Sequence, residues 1–561
     1  MLSSLVGQQD GVRDPAGVPR WMAPILVAVL FLFFAAGSFS YYAQHAFINA
    51  DAWAVYDMAR SFDERFYHGM LIRQFQFDLD YGSSYAFLGP VLVYAADALT
   101  GLGIYGHYIV TVLAGLGSLL LGWVILGKAA GGMAGEGRTP AVALSALLLA
   151  VVAFNIWELY RDIYRASTIP IALFFILAAL ALLPRRGDLT AGRAFAVGMT
   201  MGLAAMTRFD VNLLVLAFAG VVLATAGRRR IRATVLYVAG VLLTISPWIV
   251  FSLAVFGKPY ASDNAIVAVA VKQLHSLDLI LPGEPTLFSD FDGWLARVSL
   301  TAADFLNILH VMLARSPFAW VFLAGVPALV LLLTAWGLAG GRRGGTAPVG
   351  DGAVATLRYP AALTLTALAG LLLFVGPVAT GYQMNTRYYS MTFLLVALAL
   401  LGWTLVGMAA AERRLGSRGP RLLLEAGLVV LCLAGFPTML REAFQEGWPP
   451  LRFNEANRHA EAHPDLMRCV PADGRTLLLF RYTSQTLQDG IRFGVLARRV
   501  VLIMPNNWPE VPAARKLAFL SEARVSHVWL DEAESRAGLV DEGMVLRPVA
   551  GCTGFYSVGT P

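Results

Sequence analysis

The sequence predicts a polytopic α-helical membrane protein with about eleven transmembrane helices and a small extracytoplasmic α/β domain at its C-terminal end. Of its 561 residues, 57% are hydrophobic and 14% charged, and the mean hydropathy is +0.63. A soluble domain carries about 25% charged residues, so folding alone cannot shield this much apolar surface from water. The apolar residues gather in runs that match the roughly 20 helical residues needed to cross a bilayer. Past residue 441 the pattern changes to short β-like runs alternating with helical stretches. Disorder, a collagen-like repeat and a disulfide-stapled mini-fold are excluded, since 3 cysteines and a strongly apolar chain suit none of them.

The spans fall near 21–42, 104–127, 139–155, 167–184, 193–207, 210–227, 233–256, 317–340, 361–381, 389–410 and 422–439. The first follows Arg13 and Arg20, exceeds a secretory h-region and lacks a small-residue cleavage site, so it reads as an anchor. Alternate loops carry Lys128 and Arg138; Arg185, Arg186 and Arg193; Arg228, Arg229, Arg230 and Arg232; Arg342, Arg343 and Arg358; and Arg413, Arg414, Arg418 and Arg421. The positive-inside rule makes that side cytoplasmic. A multi-pass protein of a bacterial inner (plasma) membrane is expected, N terminus inside and C-terminal domain outside. The basic runs are read as this topological signal, and no nucleic-acid partner is expected.

The outward segments differ in kind. Residues 43–103 and 257–316 are long enough to hold helices lying along the membrane surface, and Ala265 to Ile280 reads as an amphipathic stretch of that type. The working face is therefore expected outside. Residues 1–440 form the membrane domain and 441–561 the outer one, joined by a linker at Trp448-Pro449-Pro450. Strands are expected at Leu477–Phe480, Val500–Met504 and Val525–Leu530, with helix near Ala513–Ala523. Cys469 and Cys552 lie in this domain, either paired in an oxidising compartment or as two thiols. Cys432 reads as a small apolar residue of the last span. Neither tandem nor inverted repeats are apparent, which weakens a secondary-transporter reading.

Charge near hydrocarbon is expensive, so ionisable residues at outer span ends are the candidates. Asp51 follows the first span in an apolar, aromatic setting; it suits a helix cap at Ala52 as well as a reacting carboxylate, with Asp57 in reserve. Glu158, Asp162 and Arg165 share a helical spacing in the next outward turn, which fits local ion pairs or an acidic patch for a cation or sugar hydroxyls. Arg208 breaks the cytoplasmic bias at the hairpin between the fifth and sixth spans. Its fork suits a phosphate, and pairing with Asp210 is the simpler alternative. Arg387 and Tyr388 precede the tenth span, where Arg387 could also snorkel, and Lys258 follows the seventh. There is no phosphate-cradling P-loop, no HExxH and no CxxC pair, so ATP hydrolysis and zinc-thiolate chemistry have no local support.

In order along 21–410, these pieces resemble the C-type membrane glycosyltransferases (GT-C), the superfamily of protein O-mannosyltransferases, aminoarabinose transferases and arabinosyltransferases. The resemblance rests on Asp51 after the first span, Gly89-Pro90-Val91-Leu92, the Gly202–Arg208 hairpin, the Phe-Gly-x-Pro turn at 256–259 and the Arg387-Tyr388 pair. It implies an inverting transferase that moves a sugar from a polyprenyl-phosphate donor to a hydroxyl of a glycan, lipid or protein. Asp51 would be the base, and Arg208, Arg387 and Lys258 would hold the donor phosphate. Glu158, Asp162 and Tyr388 would orient sugar or acceptor. A divalent cation (Mg or Mn) at Asp51 and Asp162 is a further option, set against the single acid at 51 with Ala50 before it. A polytopic bundle also suits a lipid or solute transporter or flippase, or a non-enzymatic assembly subunit.

Overall fold

The computed structural model describes residues 86–103, 105–131, 167–185, 188–256, 270–272, 283–298, 358–371, 389–415, 477–481, 500–504, 510–512, 525–529 and 545–559. It also describes Arg468, Cys469 and a few single positions, among them Ala52, Val55, Tyr56, Met58 and Ala59. The helices are α1 (Leu88–Thr100), α2 (Tyr105–Gly131), α3 (Ile169–Leu182), α4 (Ala191–Thr207), α5 (Asn212–Thr225), α6 (Arg230–Phe256), α7 (Phe291–Val298) and α8 (Tyr389–Leu415). Residues 358–371 are also helical. Among the described residues, Tyr105–Ala129 and Arg230–Ala254 are long and apolar enough to cross a membrane.

α3 is buried on nearly every side, as an apolar helix without a polar face must be. It packs against α2 and α4, and α4 against α6. The α4–α6 contact is close because it is made of glycine: a Cβ at Gly198 would run into the Tyr237 carbonyl, and one at Gly202 would lie 2.7 Å from Thr244 Cβ. This is small-residue packing as membrane helices use it. The other face of α6 exposes Val235, Val238, Leu242, Val250 and Leu253, large apolar groups that belong against lipid.

Pro247 lies inside α6. Proline removes the N–H that would reach the carbonyl four residues back, and Ser246 donates its hydroxyl to that Leu243 carbonyl at 2.8 Å. The helix consequently runs through the Pro-Trp step.

The basic residues gather at one pole. Lys128 donates to the carbonyls of Ala181 and Leu183, capping the end of α3 as a cation should. Tyr359 donates to Leu180 O at 3.1 Å, and Arg358 lies 3.7 Å from Asp188. At the opposite pole stand the start of α3, the α4–α5 hairpin and the C-terminal end of α6. Thr392 of α8 donates to Gly370 O, and Trp403 to Thr364 Oγ1. α8 therefore runs antiparallel to 358–371, toward the basic pole.

Within 43–103, a segment long enough to hold helices, lies α1. Within 257–316, Ala270 forms an antiparallel bridge with Thr286 rather than part of an amphipathic helix. β-Branched residues at 266, 267, 269 and 271 favour that extended form; the rest of 265–280 lies almost wholly outside the described residues. Lys272 binds Glu510 at 2.8 Å and Glu284 at 3.7 Å. The hydrogen bond to Glu510 holds its amine above the usual lysine range.

Toward the C terminus lie β1 (Leu477–Arg481), β2 (Val500–Met504), β3 (His527–Trp529), β4 (Val545–Pro548) and β5 (Phe555–Gly559). They form one sheet in the order β2-β1-β3-β5-β4, parallel among the first three and antiparallel at β5 and β4. The spans expected at 21–42, 139–155, 317–340 and 422–439 and the linker at 448–450 lie outside the described residues.

Cys469 and Cys552 are disulfide-bonded, with Cα atoms 5.8 Å apart and 83 residues of separation. A loop of that length, once closed, stabilises the fold by roughly 4.5 kcal/mol on chain-entropy grounds. Maleimide labelling of denatured protein should modify Cys432 alone before reduction and all 3 cysteines after it; 3 reactive thiols without reductant would contradict the pairing. Gly198→Val should separate α4 from α6 and cost about 1–3 kcal/mol, read as a lower unfolding temperature in detergent.

Candidate functional site

Arg208 leaves α4 in extended geometry (φ −149°, ψ 130°) and a 3₁₀ turn, Phe209–Val211, leads into α5. This sharp exit brings Asp210 back onto the guanidinium. Arg208 Nε donates to Asp210 Oδ1 at 3.0 Å and Nη2 to Oδ2 at 2.7 Å. Nη1 reaches Thr168 Oγ1 at 3.3 Å. The fork is sheltered, with side-chain exposures of 18% for Arg208 and 28% for Asp210. The pairing with Asp210 expected as the simpler alternative is therefore present, and it fixes the orientation of the guanidinium.

Thr168 precedes α3 at its N-cap position but makes no cap hydrogen bond. Ser167 Oγ accepts from Ile169 N–H instead, which leaves the Thr168 hydroxyl to Arg208. Against Thr168 lies Gly89 of the Gly-Pro segment, where a Cβ would stand 3.2 Å from Thr168 Cγ2. Pro90 sits in the first turn of α1, where no N–H is required. Two motifs far apart in sequence thus meet at one point, beside Arg208.

The C-terminal end of α6 adds an aromatic floor. Trp248 is buried and stacks on Phe251 at 5.6 Å, with Phe209 at 5.8 Å and Phe87 at 6.2 Å. Met58 and Met206 complete this cluster. Met58 belongs to a helical stretch whose described positions are Ala52, Val55, Tyr56, Met58 and Ala59. At its other end Ala52 packs on Tyr108 at the start of α2. The stretch that begins one residue after Asp51 therefore shares an apolar cluster with the Arg208 hairpin.

Asp51, Asp57, Glu158, Asp162, Lys258, Arg387 and Tyr388 lie outside the described residues, and so do the ligands of any cation at Asp51 and Asp162. Among the described residues no group of three His, Cys, Asp or Glu could hold a metal ion. Thr168 was missed in the sequence because Ser-Thr-Ile-Pro reads as an ordinary helix start. The tertiary role of its hydroxyl has no local signature.

No family model and no curated protein matches the chain in sequence. In fold it is similar to ArnT from Cupriavidus metallidurans bound to undecaprenyl phosphate, with a TM-score of 0.54 at 14% identity over 95% of this chain and 97% of that one. The apo state of ArnT gives 0.54 at 13% identity, with the same coverage. AglB from Archaeoglobus fulgidus, an archaeal oligosaccharyltransferase in complex with an inhibitory peptide and a dolichol-phosphate, gives 0.45 at 14% identity, over 96% and 75%. At this identity the likeness is one of fold: the chain shares the fold of ArnT over nearly its whole length.

Arg208 and Asp210 should be energetically coupled. A double-mutant cycle of Arg208→Ala and Asp210→Ala, read by denaturant unfolding in detergent, is expected to give about 1–2 kcal/mol. Additive effects would contradict the fork.

Proposed function

We propose that the protein is an inverting membrane glycosyltransferase that moves a sugar from a polyprenyl-phosphate donor to a hydroxyl of a glycan, lipid or protein. The observation that carries this reading is the ArnT-like fold over 95% of the chain, with Arg208 and the stretch following Asp51 meeting at the pole away from the basic residues. Sidedness follows from the charges. The basic pole faces the cytoplasm of a bacterial cell, and the Arg208 pole faces outward. Residues 1–440 are read as a membrane unit of about eleven spans and 441–561 as an outer unit. The disulfide within the latter suits an oxidising compartment.

The chemistry requires little beyond charge and position. A donor of this class has its tail in the bilayer and its phosphate at the interface, so cations must wait at the outer edge of the spans. Arg208 fills that role, with Arg387 and Lys258 as companions. Asp210 and Thr168 hold the guanidinium in place, which removes the reorganisation cost of stabilising a developing charge. Asp51 accepts the proton of the acceptor hydroxyl as its oxygen attacks the anomeric carbon from the face opposite the phosphate. The bond from that carbon to the phosphate oxygen breaks, and its electron pair leaves with the polyprenyl phosphate, whose added negative charge the cations bind. Glu158, Asp162 and Tyr388 would orient the sugar and acceptor.

Transfer from radiolabelled polyprenyl-phosphate-linked mannose, arabinose and aminoarabinose, assayed with protein in lipid vesicles, tests the proposal. Asp51→Asn should lower turnover by at least about 100-fold while undecaprenyl phosphate still binds. Arg208→Lys, which keeps the charge and loses the fork, should weaken that binding. Undiminished transfer by Asp51→Asn would overturn the base assignment. Movement of lipid or solute across the vesicle without a glycosidic product would favour a transporter.

A further inference from the structure

Among the described residues, the stretch that follows Asp51 has a directional anchor at Tyr56. Its apolar contacts, Ala52 on Tyr108 and Met58 on Met206 and Trp248, resist separation but oppose sliding weakly. Tyr56 is different: its ring is buried and its hydroxyl donates to Asp97 Oδ2 at 3.2 Å, 41 residues away in sequence. The other oxygen of Asp97 accepts the Gly103 N–H at 2.6 Å. Gly101 and Gly103 both have positive φ, 66° and 61°, and turn the chain sharply from α1 into α2. The carboxylate is thus pinned by the main chain of a tight corner, and it holds the phenol from that fixed point. A carboxylate in the last turn of α1 opposes that helix's dipole, so its retention there calls for a gain elsewhere. The start of α2 and Tyr56 supply it.

We propose that Asp97, acting through Tyr56, is a positioning residue for the base of the transfer reaction, setting where the stretch that begins at Ala52 lies relative to the Arg208 pole. This inference rests on the glycosyltransferase reading and on Asp51 as its base. Ala52, the residue bonded to Asp51, belongs to this stretch, so whatever orients the stretch bears on the base. Proton transfer is far more sensitive to movement of the stretch than stability is. One hydrogen bond contributes little to the fold, whereas a displacement of about 1 Å at the reacting atoms lowers rate on the order of 100-fold.

The experiment compares Tyr56→Phe, Asp97→Ala, the double variant and Asp51→Asn in vesicles, using the donor of the three named above that the unaltered protein accepts. Turnover is expressed per mole of protein that binds undecaprenyl phosphate, so that a misfolded fraction does not enter. Tyr56→Phe should lower kcat by roughly 10- to 100-fold, with KM for the donor changed less than about twofold. Asp97→Ala should do the same, and the double variant no worse than the single ones. Tyr56→Phe removes only an oxygen and keeps the comparison informative if Asp97→Ala fails to fold. Wild-type kcat in Tyr56→Phe, a rise in KM instead of a fall in kcat, or fully additive losses would overturn the positioning role while an inactive Asp51→Asn leaves the glycosyltransferase reading standing. Full activity of Asp51→Asn would overturn both.

Discussion

A cation cannot rest in hydrocarbon without a partner, and that single constraint organises the bundle. Lysines and arginines are driven to the helix ends, where they meet water, headgroups or the unpaired carbonyls of a neighbouring helix. Lys128 shows the last case, binding Ala181 O and Leu183 O at the end of α3. Once the basic residues collect at one pole, an arginine at the other is no longer incidental. Arg208 stands there half-sheltered, in the grip of Asp210 and Thr168. The surrounding packing can be understood as what keeps it there: Gly202 draws α4 against α6, α4 ends at Thr207, and the 3₁₀ turn returns Asp210 to the guanidinium.

The same pole gathers elements that are distant in the chain. Gly89 lets α1 begin against Thr168, and Thr168 in turn meets Arg208. Met58 brings the stretch after Asp51 onto Met206 and Trp248. The apolar floor under these polar groups lowers the local dielectric, and fixed donors act more strongly there than in water. A lipid phosphate presented at that level would find an oriented guanidinium above an aromatic cluster, while its tail remained among the spans.

Much of the architecture was legible because bilayer thickness imposes a length and hydropathy signal. The helices at 105–131, 169–182, 191–207, 212–225, 230–256 and 389–415 fall where the apolar runs do, and β1, β2 and β3 coincide with the alternating runs of the C-terminal part. Elements outside that constraint were harder to read. α1 is short, lies between two long apolar runs and carries only part of its apolar surface inward. Ala270 was assigned to a helix from its apolar spacing, yet it pairs as a bridge, because the β-branched neighbours prefer extended backbone. Arg208 stood out in the sequence through its break in charge asymmetry. Thr168, Asp97 and Tyr56 did not, since their roles depend on partners some 40 residues away, and neither periodicity nor local motif encodes such a separation.

The central claim is that the pole marked by Arg208 receives the lipid phosphate. It is tested most directly by photocrosslinking a polyprenyl phosphate with a diazirine beside its phosphate to the purified protein in vesicles, then mapping the modified peptides. The account predicts label on the Arg208 hairpin and on the segments that meet it at Gly89 and Thr168, lost when unlabelled undecaprenyl phosphate competes. Label confined to the opposite pole, around Lys128, Arg193 and Arg358, would contradict it.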